Sequence, residues 1–286
     1  TRLDKARSIA AYHQIPVACD RIEAMFEHGL DILSLALPPT ENEFAVRLAT
    51  SRKVAVFCEK PLTDTLETAE QLTVLTEGMV TGIDFLFAEL ETFRGLKQLI
   101  EENELGFVNH VHVIWLVESW AQSRRQWIWK TDTKRGGGTL NLLGAHVLYL
   151  AEWLMGPARR VLARHDIAAK GFAPPGSEPG ETLVNLFIEY DSGAILSAAI
   201  GNANPSFSEH QWIVVGDRAC AIARNEGKDY AHGFTLNLAN SSGRKTLVTQ
   251  EPPLSGDGRI LPFARLATRC AACVREARSF NPGFKA

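Results

Sequence analysis

The sequence predicts an α/β protein in two parts: a doubly wound, parallel-sheet domain over residues 1–87, then an α+β domain over residues 88–286 with a large, open, mostly antiparallel sheet. Three observations lead there. Up to Phe87 short apolar runs alternate with helical ones, as in βαβ units on a parallel sheet. From about Glu89 the runs become longer strands with period-two alternation and hairpin turns, the grammar of a sheet that faces helices on one side only. At 286 residues, 45% of them hydrophobic, the chain is long and apolar enough for two packed cores.

In order, residues 1–12 read as the tail of an amphipathic segment. Because Thr1 rather than methionine comes first, an N-terminal portion is expected to precede it. Pro16 to Cys19 reads as a strand and Arg21 to Glu27 as a helix. Asp31 to Leu37 is a buried strand that Pro38 and Pro39 end, since proline cannot join the ladder. Glu41 to Ser51 is a helix with Phe44 and Leu48 on one face. Val54 to Phe57 is a short, enclosed strand, followed by a helix with Thr63 as its N-cap and Leu66, Ala69, Leu72 and Leu75 as its buried stripe. Val80 to Phe87 completes this part.

The second part opens with a helix, Thr92 to Glu102. In Phe107 to Glu118, Val111, Val113, Trp115 and Val117 line one face of a strand while His110, His112, Ile114 and Leu116 line the other. Leu183 to Tyr190 and Ala194 to Ile200 form a hairpin across Asp191-Ser192-Gly193. Trp212 to Val215, Ala219 to Ala223, Phe234 to Leu238 and Lys245 to Val248 are further strands, and the glycine- and proline-rich run Ala168 to Gly180 is a loop. Leu261 to Phe280 is helical, with Cys270 and Cys273 as buried apolar groups.

The formal net charge of −3, with no basic run, argues against a nucleic-acid groove or a polybasic membrane patch and for a small-molecule substrate. Five cysteines without disulfide-framework spacing, and no apolar run of membrane-spanning length, point to a reducing cytoplasm.

Two constellations carry chemistry. Cys58-Glu59-Lys60-Pro61 stands where a buried strand ends, the place where open α/β sheets bind ligands, so the Lys60 ammonium is well placed to move protons. The alternative is a surface ion pair between Glu59 and Lys60. Arg135-Gly136-Gly137-Gly138 opens a helix from Thr139 to Met155, on which Asn141, His146 and Tyr149 interrupt an apolar surface. Three glycines let the backbone pass close to something bulky, often a ligand. His146 is either a satisfied core histidine or an acid–base group. His110 and His112 offer half a metal site without an acidic or cysteine partner, so no metal is expected.

Leu35-Ala36-Leu37-Pro38-Pro39, then Cys58-Glu59-Lys60-Pro61-Leu62, then Gly136-Gly137-Gly138 with Gly144-x-His146 resembles, in that order, the glucose-fructose oxidoreductase, inositol dehydrogenase and rhizopine-catabolism family of nicotinamide-dependent oxidoreductases. The resemblance covers nearly the whole chain. It implies a Rossmann-like domain binding NAD or NADP, followed by a substrate domain whose open sheet mediates a homo-oligomer, a dimer or tetramer. The family's glycine-rich phosphate loop would precede Thr1. By position, Leu37, Pro38, Pro39, Glu59, Lys60 and Trp129 would meet the cofactor, and Lys60, Asn141, His146 and Tyr149 the substrate. Lys60 and His146 would be the catalytic pair. Arg2 is placed to meet a 2′-phosphate. The family often has an aspartate four residues before this histidine, where Leu142 stands, and another three residues after it, where Tyr149 stands. The implied activity is oxidation of a secondary hydroxyl, or reduction of the matching carbonyl, on a sugar, polyol or related metabolite. Leu142 leaves open a non-catalytic relative that binds a metabolite or a protein.

Overall fold

In the computed structural model, residues 3–167, 172–249 and 256–286 are described, so Arg2, residues 168–171 of the expected loop and residues 250–255 lie outside the account. The chain divides into two compact units, Thr1–Ile83 with Arg269–Ala286, and Asp84–Thr268.

The first unit holds α1 (Leu3–Tyr12), α2 (Ile22–Met25), β1 (Ile32–Leu35), α3 (Pro39–Ser51), β2 (Ala55–Cys58), α4 (Leu66–Leu75) and β3 (Thr81–Ile83). The strands form a parallel sheet in the order β1-β2-β3, with Leu35 opposite Cys58 and Cys58 opposite Ile83. Every residue of β2 is buried, which is why its sequence is apolar without alternation. β1, expected to be buried throughout, instead alternates: Leu33 and Leu35 are buried and Ser34 is exposed.

Several local expectations are corrected. Pro16 to Cys19 forms no strand, and Val17 is exposed, with no ladder to join. α3 buries Asn42, Ala45, Val46 and Ala49 rather than Phe44 and Leu48, because small side chains bring the helix close to the sheet while the large Phe44 ring stays outside, 59% exposed. The N-cap of α4 is Thr65, whose side chain accepts from the Thr68 amide, while Thr63 donates its hydroxyl to the Thr65 carbonyl at 2.7 Å. Of the expected α4 stripe only Leu72 is fully buried.

Residues 269–286 fold with this unit. The Ile83 amide donates to the Pro282 carbonyl at 2.9 Å, the Phe284 amide to Thr81 Oγ1 at 3.2 Å, and Thr73 Oγ1 to the Phe284 carbonyl at 3.1 Å. Gly82 faces Phe57 and Phe280, and a Cβ there would lie 2.7 Å from the Phe57 ring. The segment thus covers the free side of β3.

The second unit is built on eight strands. They are β4 (Val108–Glu118), β5 (Ala158–Asp166), β6 (Leu183–Tyr190), β7 (Ile195–Gly201), β8 (Ala203–Gly216), β9 (Cys220–Asn225), β10 (Thr235–Asn240) and β11 (Gly243–Thr249), in the order β11-β10-β9-β8-β4-β7-β6-β5. All neighbours are antiparallel except β4 and β7. Its helices are α5 (Glu91–Glu101), α6 (Trp120–Ser123), α7 (Ala145–Met155) and most of α8 (Ile260–Arg275). The expected faces of β4 are those observed, with Val111, Val113, Trp115 and Val117 buried under α5 and α7. β5 and the first half of β8 had no counterpart in the sequence reading. β5 is an edge strand exposed along its whole length, so burial imprinted no alternation on it.

At the centre of this core Trp115 stacks on His210, with centroids 4.0 Å apart and planes 3° apart. Trp212 Nε1 donates to His210 Nε2 at 3.0 Å. Burial pushes the His210 imidazole from 6.5 down to about 3, so it is neutral in the fold. The unfolded chain therefore takes up a proton that the folded one refuses as pH falls below 6.5. Stability is full above that pH and is lost by about 2 kcal/mol near pH 5. Urea titrations should show this slope in the wild type. His210→Phe should flatten it, at a pH-independent cost of about 1–2 kcal/mol for the acceptor lost to Trp212.

Candidate active site

In the first unit the chemistry stands at the carboxyl ends of β1 and β2. The Glu59 amide donates to the Leu35 carbonyl at 2.8 Å, so Ala36 to Pro39 and Glu59 to Lys60 leave the sheet from neighbouring positions. Pro38 caps α3 and Pro39 is its first residue, where the missing N–H costs nothing. Ala36 and Glu59 are exposed, Leu37, Pro38 and Lys60 are partly buried, and Pro39 is buried. This ledge, formed by two strand ends and one helix start, suits the nicotinamide half of a dinucleotide, with Leu37, Pro38, Pro39, Glu59 and Lys60 as the residues that would hold it.

The loop beyond Lys60 is fixed from behind. Asn42, fully buried on α3, donates from Nδ2 to the Leu62 carbonyl at 2.9 Å. Asn42 is thus a residue of this region that apolar periodicity could not reveal, since a buried amide reads as a break in the pattern. Asn42→Ala should cost about 2 kcal/mol by stranding a buried carbonyl, measured by denaturant unfolding.

In the second unit two of the three glycines accommodate close passage of the chain itself. A Cβ on Gly137 would lie 2.5 Å from the Trp129 carbonyl oxygen and 2.7 Å from Lys130 backbone atoms, and one on Gly138 would overlap the Glu181 carboxylate. Gly136 and Gly138 also adopt positive φ, 75° and 111°. The segment around Glu181 crosses over these glycines. The Gly180 amide donates to the Thr131 carbonyl at 2.9 Å, the Thr139 amide to the Glu181 carbonyl at 2.8 Å, and the Leu140 amide to Glu181 Oε1 at 2.7 Å. Glu181 therefore places a carboxylate at the start of the helix, where the aligned peptide dipoles favour negative charge. No sequence spacing announced this, because the two partners are 41 residues apart.

That helix opens as a π-helical turn, Leu140–Gly144, and continues as α7. Such widened turns recur at functional sites. His146 is buried, 7% exposed, with the Phe87 ring at 4.8 Å, Phe85 at 5.9 Å and Trp115 at 6.1 Å. Tyr149 stacks on Phe85 at 4.3 Å. Asn141 donates from Nδ2 to the Gly136 carbonyl at 3.2 Å, so its amide ties the glycine turn. Trp129 is partly exposed in a short turn, with Lys130 Nζ 5.6 Å from its ring centroid. The structure thus gathers His146 and Tyr149 about Phe85, and ties Asn141 to the glycine turn.

His110 and His112 lie side by side on β4, their centroids 4.0 Å apart, with Ser197 Oγ 2.7 Å from His112 Nδ1. Among the described residues no group of three or more His, Cys, Asp or Glu could hold a metal ion. Cys270 is buried, its thiol pushed up to about 11 first by desolvation and then by Cys273, so it is protonated and unreactive. Among the described residues no helix is long and apolar enough to cross a membrane.

Residues 1–79 match a family model described as an oxidoreductase family with an NAD-binding Rossmann fold, and residues 93–222 match its companion, the GFO/IDH/MocA C-terminal domain. An uncharacterized oxidoreductase of Synechocystis is 23% identical over 99% of this chain and 80% of its own length. A levoglucosan dehydrogenase in complex with NADH and levoglucosan superposes with a TM-score of 0.87 over 99% of this chain and 81% of that one, at 18% identity. An inositol dehydrogenase homolog from Azotobacter vinelandii, complexed with NADH and myo-inositol, superposes with a TM-score of 0.77 over 96% of this chain and 76% of that one, at 20% identity.

Proposed function

The chain belongs to the GFO/IDH/MocA family of NAD-binding oxidoreductases, and from that premise we propose that it oxidises a secondary hydroxyl of a sugar, anhydrosugar or polyol, or reduces the matching carbonyl. The observation that carries this reading is Lys60 at the carboxyl end of the enclosed strand β2, beside the ledge of Leu37 to Pro39. The ligands named for two structures of the same fold, levoglucosan and myo-inositol, share the cyclic polyhydroxyl chemistry of such a substrate.

Bound nicotinamide supplies the acceptor for the carbon-bound hydrogen and its electron pair. Lys60, as the neutral amine, takes the proton of the same hydroxyl as the C=O bond forms, and returns it in the reverse direction. An ammonium has no lone pair with which to accept a proton, so the step uses the neutral amine. On the pattern shared with the family, His146 would be a second acid–base group, Tyr149 and Asn141 would bind substrate and Trp129 would meet the cofactor. The open face of the eight-stranded sheet is the surface for pairing with further copies of the chain.

Nicotinamide absorbance followed across cyclic sugars, anhydrosugars and polyols, with NAD and NADP in parallel, tests the reading. Turnover of at least one cyclic polyol supports it. Full-length protein that binds cofactor and turns over none overturns it.

A further inference from the structure

Residues 178–181 form a strap across the start of the helix that carries Asn141, His146 and Tyr149, and backbone holds the strap in place. The Thr133 amide donates to the Glu178 carbonyl at 2.9 Å, the Gly180 amide to the Thr131 carbonyl at 2.9 Å, and the Thr139 amide to the Glu181 carbonyl at 2.8 Å. Asp132 and Pro179 add an antiparallel bridge. From this fixed base the Glu181 side chain reaches the helix, where Oε1 accepts from the Leu140 amide at 2.7 Å. Gly138 makes room for it, since a Cβ there would overlap the carboxylate. Leu140 is the first residue of the π-helical turn, and amides at a helix start have no partner within the helix.

We infer that Glu181 is a positioning residue for the substrate groups of this helix: its carboxylate fixes the turn whose register sets the directions of His146 and Tyr149. This rests on the functional reading above. A π-helical turn holds about one residue more than an α-helical one, and a residue of an α-helix advances by roughly 100°. Every side chain beyond the turn is therefore rotated by that angle from where an uninterrupted α-helix would aim it. Asn141 lies within the turn, and His146 and Tyr149 lie beyond it. Loss of the extra residue from the turn would swing both rings off Phe85, against which they now pack. Glu181 holds the Leu140 amide at the point where that register is chosen, and the aligned peptide dipoles favour a carboxylate there.

The test uses the full-length protein, the best substrate of the panel and a temperature well below the melting point of every variant. Glu181→Ala removes the acceptor while the backbone bonds of the strap remain. It should lower kcat/KM about thirtyfold with the cofactor Kd unchanged. Glu181→Gln keeps an oxygen within reach of the Leu140 amide and should stay within about threefold of wild type. Gly156→Ala controls for stability alone: it strains the far end of α7, at φ 87°, and should leave kcat/KM within about twofold. Should Glu181→Ala fail to fold, Glu181→Asp, whose carboxylate falls one methylene short, takes its place with the same expectation. The inference is overturned, with the functional reading left standing, by wild-type kcat/KM in that variant, by Glu181→Gln as impaired as it, or by Gly156→Ala as impaired as it. A wild type inactive across the panel overturns both.

Discussion

Lys60→Met in the full-length protein is expected to lower turnover by three to four powers of ten, on the order of 4–5 kcal/mol of transition-state stabilisation. Methionine fills a similar volume and leaves the loop after Lys60 its anchor, the Asn42 amide on the Leu62 carbonyl. The lost group acts while the proton moves, and cofactor affinity should stay within a few-fold of wild type. Steady-state kinetics beside calorimetric cofactor titration separates the two quantities. Turnover near that of the wild type would sink the assignment of Lys60, and a large fall in affinity with kcat intact would make it a binding residue only.

Gly137→Ala should be the most destabilising small substitution near the site, costing about 3 kcal/mol and lowering the melting temperature by roughly 6–12 °C. The obstruction is backbone on both counts, the Trp129 carbonyl oxygen and Lys130, and backbone cannot rotate away as a side chain can. Gly156→Ala is the instructive contrast. Gly156 has φ 87° and nothing within 4 Å of a Cβ, so only conformational strain of about 1 kcal/mol should register. Equal melting temperatures for the two variants would mean that the crossing over residues 136–138 is looser than described.

Burial decided what the sequence made legible. β2 and the inner face of β4 were readable because each is enclosed and carries the apolar signature of its environment. The β6–β7 hairpin was readable because Gly193, at φ 88°, meets a backbone demand that glycine satisfies most readily. Where burial is weak or carried by small side chains the signal fades, as in the fully exposed β5 and in α3, whose sheet-facing residues include Ala45 and Ala49. At the candidate site Lys60 was marked by its place at a strand end. Asn42 and Glu181 were invisible, because their contacts span 20 and 41 residues of sequence. The glycines were legible as a point of close approach, and for Gly137 and Gly138 the fold supplies chain as the neighbour.

The return of residues 269–286 to β3 sets a timetable for biosynthesis. Thr73 and Phe284, joined by a hydrogen bond, are 211 residues apart in sequence, so the cover on β3 cannot form until residue 284 has left the ribosome. At about 5–20 residues per second, delivery of residues 84–268 takes on the order of ten seconds or more, during which Phe57 and Gly82 lack their Phe280 lid. Closing so long a loop costs little extra in equilibrium terms, because the entropy grows only with the logarithm of its length. The exposure is therefore one of time, and it falls on the first unit while it is nascent.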